Sequence, residues 1–128
     1  MKNGIIYIGE NLFETFFAIS EEEQRLGLMN IDPPTPNMTF IYDSPKINKF
    51  WMKNTKASLD ILFCNNGKVL RICKGEPYST SIIGEDEYSD LVIELPLGTV
   101  ASSNIKLGSP VGILSPKYSE FKNLVFKK

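Results

Sequence analysis

A mainly β domain, sandwich-like or jelly-roll-like with one or two short helices, is the fold this sequence predicts. Three observations carry that expectation. Short runs rich in β-branched and aromatic residues recur along the chain and are bounded by turn formers. Asn66-Gly67 separates two of these runs, and both residues tolerate the positive φ angles of a tight hairpin turn. A helix-start signal near the N-terminus, Ser20 followed by Glu23, opens a short segment that a proline-rich loop soon ends.

The elements follow in order. Residues 4–8 and 12–19 read as strands joined by a turn at Gly9-Glu10-Asn11. Ser20 and Glu23 form a capping box, each side chain satisfying the other's backbone N–H. Glu21, Glu22 and Glu23 sit at the positive end of the helix dipole, so this charge run is a cap. The helix spans 21–28, with Leu26 and Met29 toward the core. Asp32-Pro33-Pro34-Thr35-Pro36 makes 30–37 a loop, because proline lacks a donor and restricts the residue before it. Residues 38–42 and 47–53 read as strands around a turn at 43–46.

The hairpin 59–64/69–73 is the clearest local structure. With Asn66-Gly67 as its turn, Cys64 pairs with Val69, Leu62 with Arg71 and Asp60 with Cys73. One face then carries Ile61, Phe63, Leu70 and Ile72, and the other an apolar floor bearing Asp60 and Arg71. Residues 78–90 form a polar loop and 91–95 a buried strand. Residues 99–104 make one helical turn and 111–114 a last strand. Residues 118–126 fit an amphipathic helix or an added strand.

Bulk composition bounds the function. The 128 residues form a single domain, 1–128, long enough to bury a core without disulfides or metal. The net charge of -1 gives no basic face for a nucleic acid. No run approaches the roughly 18 apolar residues that cross a bilayer, and no signal-peptide core follows Met1-Lys2-Asn3. The expectation is a soluble protein in the cytoplasm of a bacterial or phage-infected cell, with no membrane partner. Twelve lysines against two arginines suggest an AT-rich genome.

The absence of histidine excludes a Ser-His-Asp triad, a Cys-His pair and an imidazole zinc site. No P-loop or dinucleotide glycine motif occurs, and no cofactor or metal is expected. Cys64 and Cys73 share a hairpin face but stand too far apart for a disulfide, so both read as small half-buried thiols. Glu85-Asp86-Glu87 lacks the spacing of a calcium loop and reads as solvated.

The best constellation is the polar knot Lys53-Asn54-Thr55 with Asp60, Arg71 and Trp51. A half-buried acid beside two bases on an apolar floor, walled by a flat indole, suits a polar or anionic ligand. In the structural alternative, Asp60 accepts hydrogen bonds from residues 54–58 and pins that bend, and Trp51 is core.

The same stretch, Phe50-Trp51-Met52-Lys53-Asn54-Thr55 followed by Leu59-Asp60-Ile61-Leu62-Phe63, closely resembles the signature of domain-of-unknown-function family 192. EEQRLGLM at 22–29, residues 38–42, Gly67-Lys68-Val69, LVIELPLG at 91–98 and IKLGSPV at 105–111 resemble its other segments, in the same order. The resemblance implies a compact, mainly β domain and no established reaction. The chain departs from the pattern in its start, almost directly in a strand, in its proline-rich 32–36 linker, and in Ser109, where an aspartate is common. Three functions follow as expectations. The favoured one is non-enzymatic binding of a small polar ligand or a protein partner. The others are an enzyme acting on a sugar-like or anionic substrate through Asp60 with Lys53 or Arg71, and a structural part of a larger assembly.

Overall fold

A computed structural model describes residues 1–115. The segment expected at 118–126 lies outside the described residues. Seven strands are present: β1 (Asn3–Ile8), β2 (Asn11–Ala18), β3 (Met38–Ile47), β4 (Leu59–Asn65), β5 (Lys68–Gly75), β6 (Tyr88–Pro96) and β7 (Val111–Ser115). Helix α1 (Glu21–Leu26) lies between β2 and β3, and α2 (Thr99–Ser102) between β6 and β7. The strands form one sheet in the order β5-β4-β6-β3-β2-β1-β7. Every neighbour pair is antiparallel except β2 and β3, which run parallel through the crossover that holds α1.

The two edges of the sheet approach each other at one end. Val69 N–H donates to the Ser109 carbonyl at 3.0 Å and Val111 N–H to the Gly67 carbonyl at 3.0 Å. Lys68 and Pro110 form a bridge there. The result is a half-barrel of one curled sheet in place of the expected two-sheet sandwich or jelly roll. Short alternating runs are common to both architectures, and only the pairing order separates them.

Both faces of the sheet carry a core. On one, Ile6, Ile8, Phe17, Leu62, Cys64, Leu91, Ile93, Leu95 and Val111 pack together, with Val100 of α2 against them. On the other, Met38, Phe40, Ile61, Phe63 and Val92 pack under Leu28, Met52 and Ala57 from the connecting segments. Strands covered on both sides read as continuous apolar runs. That is why β4 is buried from Leu59 through Cys64.

Local signals fold largely as the sequence dictates. Ser20 Oγ accepts from Glu23 N–H at 3.1 Å, and Glu23 Oε1 accepts from Ser20 N–H at 3.1 Å. These backbone donors, Ile19 and Ser20, hold the Glu23 carboxyl below its ordinary range. The helix stops earlier than expected, at Gly27 with φ 48°. Leu28, beyond that stop, enters the core, while Leu26 is exposed. Strand β3 runs through the expected turn at 43–46 because Lys46 and Ile47 resume pairing with Ser89 and Tyr88. Residues 48–58 are irregular instead of a strand, held by a β-bridge from Phe50 to Ile83 and by backbone hydrogen bonds at Met52, Asn54, Thr55 and Ser58.

The hairpin turn falls where Asn66-Gly67 places it, both residues at positive φ. Cys64 pairs with Val69 as expected, but the ladder then slips. Phe63 faces Arg71, Leu62 faces Ile72, Ile61 faces Cys73 and Asp60 faces Lys74. Leu70 is the extra residue of a β-bulge and is 41% exposed. One extra residue in a strand turns every later side chain to the opposite face.

Candidate functional site

The bulge dissolves the expected acid–base face. Asp60 points to the α2 side, where its Oδ2 accepts Gly98 N–H and Val100 N–H, each at 3.0 Å. It is 4% exposed and acts as an acceptor for the first turn of α2. The structural alternative expected donors at 54–58; the donors are instead Gly98, the N-cap of α2, and Val100 within it. Arg71 sits on the opposite face, ion-paired to Glu87. Cys64 and Cys73 are likewise divided between the two faces. Both are free thiols.

The polar knot meets a different partner. Asn54 adopts φ 54°, and its carbonyl accepts Asn30 N–H at 2.8 Å, which ties the knot to the segment after α1. Thr55 is buried; its hydroxyl donates to the Lys53 carbonyl at 3.1 Å and its carbonyl accepts Tyr78 N–H at 3.0 Å. Trp51 is not core but 45% exposed, with Lys53 Nζ 5.2 Å from its ring centre.

Trp51 and Thr55 line a cleft of about 350 Å³ with α1, the Gly27-Leu28-Met29 turn, Phe40, Tyr42, Phe50 and Glu94. The geometry has local causes. Gly27 takes a left-handed conformation, and a Cβ there would lie 3.3 Å from Phe40 Cζ, so a bare backbone turn passes close over the ring. Phe40 and Phe50 pack edge-to-face at 5.0 Å, and Phe50 packs on Phe63 at 5.8 Å. The Gln24 side chain donates to the Ala18 and Ile41 carbonyls at 3.2 and 2.8 Å, which fixes α1 over the sheet.

Glu94 is the central feature. It stands mid-strand between Met38 of β3 and Ile61 of β4, alternating with Ile93 and Leu95 that face the other core. The whole residue is 5% exposed, no ion pair among the described residues includes it, and the fully buried side-chain atom without a partner there is Asn65 Oδ1 rather than a Glu94 oxygen. Burial alone pushes its carboxyl up to about 8. Burial, and secondarily the Glu94 charge, also pushes the Tyr42 phenol well above its ordinary range. Lys49, at the rim, is held 2.7 Å from Asp86.

Sequence reasoning placed Trp51 and Thr55 at a site but passed over Glu94 and Tyr42. The available signal was a lone charge inside LVIEL, an otherwise apolar buried strand, which is costly unless something uses it.

A larger groove of about 700 Å³ runs along β1 and β2 beside residues 35–37. Among the described residues its only titratable lining residue, Glu14, is exposed. Its buried Thr15 is already bonded to Thr39 at 2.9 Å. The smaller cleft holds the perturbed acid and is the better site candidate. Among the described residues there is no cluster of three metal-ligating side chains. No helix among them is long and apolar enough to cross a membrane.

Fold and cleft together define a mainly β half-barrel domain with one aromatic-walled acidic cleft. The chain belongs to the DUF192 family, described as an uncharacterized ACR, whose profile matches residues 5–113. A Novosphingobium aromaticivorans protein of unknown function is similar at 26% identity and a TM-score of 0.80, covering 86% of this chain and 84% of its own. A Sinorhizobium meliloti protein, described provisionally as a transcription regulator, is similar at 26% identity and a TM-score of 0.81, covering 88% and 94%. No curated protein matches significantly.

Proposed function

We propose that this domain binds a small polar ligand, without catalysis, in the cleft floored by Glu94. The observation that carries the reading is the carboxyl of Glu94, a residue only 5% exposed, lining a cleft with aromatic walls and shifted by burial with no ion pair to offset it among the described residues. Structures seldom bury such a group without a partner or a task. The cleft volume falls at the small end of the roughly 300–1,000 Å³ typical of ligand sites. Four of the segments that carry the family resemblance also converge there: the Gly27-Leu28-Met29 turn, Phe40 and Tyr42 of 38–42, Phe50-Trp51 with Thr55, and Glu94 of LVIELPLG. Binding is favoured over catalysis because Glu94 has no second titratable group set to take the opposite proton role. Tyr42, which feels the Glu94 charge, is held protonated chiefly by burial.

Trp51 is the only tryptophan, so its emission reports directly on the cleft. The test is native mass spectrometry of protein from its own host, followed by fluorescence titration of any retained compound. Glu94→Gln and Trp51→Leu are expected to weaken binding while melting stays cooperative. Binding that survives both changes, or that maps to the β1–β2 groove, overturns the proposal.

A further inference from the structure

Resting on the cleft reading above, we infer a ligand class: a small primary or quaternary ammonium compound, with the Glu94 carboxylate as its counter-ion and the surrounding rings as its cage. Four aromatic side chains line the cleft, Phe40, Tyr42, Phe50 and Trp51. Aromatic faces attract ammonium groups through the ring quadrupole, and more strongly where water is excluded. The chain's own lysines show the geometry. Lys46 Nζ lies 5.4 Å from the Tyr42 ring centre and Lys53 Nζ 5.2 Å from that of Trp51. Neither lysine lines the cleft, so both ammonium groups sit over these rings from outside it.

Charge balance points the same way. The charged lining residues are Glu21, Arg25, Lys49 and Glu94. Lys49 is taken by Asp86, and Glu21 and Arg25 are exposed rim charges of opposite sign. Glu94 alone of these is buried, and no ion pair among the described residues includes it, Lys46 and Lys53 lying over the Tyr42 and Trp51 rings outside the lining. An anionic ligand would make ionising Glu94 harder still. A neutral ligand would leave Glu94 protonated, as burial already holds it. An ammonium ligand supplies the missing partner, and its binding releases the proton that burial otherwise keeps on Glu94. No covalent step is involved.

The test compares charge at constant shape in the intact chain. Tetramethylammonium is set against its neutral isostere neopentane, and n-butylammonium against n-butanol and butyrate, with glucose as a neutral polyol. Readouts are Trp51 emission and amide shifts of Gly27, Thr55 and Glu94. The ammonium probes are expected to perturb these signals, with affinity rising between about pH 6 and pH 8.5. Their isosteres are expected to bind at least about ten-fold more weakly, as loss of a charge-assisted contact implies. Glu94→Gln should remove both the preference and its pH dependence. If the variant does not fold, the isostere pairs on the unaltered chain decide alone. Glucose or butanol binding in the cleft without ammonium preference overturns this inference and leaves the cleft reading standing. No perturbation at the cleft by any probe, and no retained compound from the host, overturns both.

Discussion

Glu94→Gln is the sharpest perturbation the structure offers. The substitution keeps shape and removes the ionisable proton. Burial lifts the Glu94 carboxyl from an ordinary 4.5 to about 8. Below pH 4.5 the group is protonated in both folded and unfolded chains, and ionisation affects neither. Between 4.5 and 8 the unfolded chain releases the proton and the folded chain keeps it, so stability falls as pH rises. Above 8 the folded chain ionises too, and the loss levels off. Tyr42 from β3, Glu21 and Arg25 from α1, and Lys49 beside Phe50 are the other charged or titratable groups of the cleft. Only desolvation accounts for the Glu94 shift. At about 1.36 kcal/mol per pH unit, the loss reaches about 3 kcal/mol at pH 7 and about 4–5 kcal/mol at pH 9. Glutamine escapes that loss. The variant should therefore match the parent near pH 4 and melt roughly 10 °C higher at pH 7, at about 3–5 °C per kcal/mol for a chain of this size. Thermal unfolding of both proteins from pH 4 to pH 9 measures this. A melting difference that does not grow with pH would refute the claim that burial governs Glu94.

Other outcomes follow from single contacts. Asp60→Asn should destabilise the domain by about 1–3 kcal/mol in urea, because it weakens the acceptor for Gly98 and Val100; an unchanged midpoint would remove its role in anchoring α2. Gly75→Ala should cost about 1–3 kcal/mol, since its Cβ would lie 2.5 Å from Met52 Sδ and 3.2 Å from Ile61 Cδ1; wild-type denaturant stability would show that Met52 moves freely. In alkylation kinetics Cys73 should react before Cys64, whose thiol burial pushes up to about 12. Equal rates would mean that the Cys64 face opens readily. The Arg71–Glu87 pair is partly exposed, so a double-mutant cycle should give no more than about 1 kcal/mol of coupling.

The misplaced hairpin face shows where local reasoning fails. Asn66-Gly67 sets the turn, and the first pairs, Asn65 with Lys68 and Cys64 with Val69, follow from it. Nothing within the hairpin announces that Leu70 bulges. That depends on neighbours beyond it, since β4 also pairs with β6 and Val69 is tied to Ser109 across the closing edges. Asp60 and Arg71 then diverge, and each finds a partner far along the chain, α2 and Glu87 respectively. Trp51 shows the same limit in reverse. Its apolar flanks suggest a core strand, yet the irregular path of residues 48–58 leaves it at the rim of the cleft.

What the amino-acid order determined by itself is whatever neighbouring residues settle among themselves. The Ser20–Glu23 cap, the Asn-Gly turn and the proline loop are of this kind, because their energies come from contacts a few residues apart, and the apolar runs of β1, β2, β4 and β6 mark strands without choosing their partners. Tertiary structure decided that the strands make one curled sheet, that a bulge separates Asp60 from Arg71, and that α1 and the 49–55 segment close over Glu94. Those outcomes rest on packing between segments distant in sequence, and the burial that perturbs Glu94 exists only once both faces of the sheet are covered.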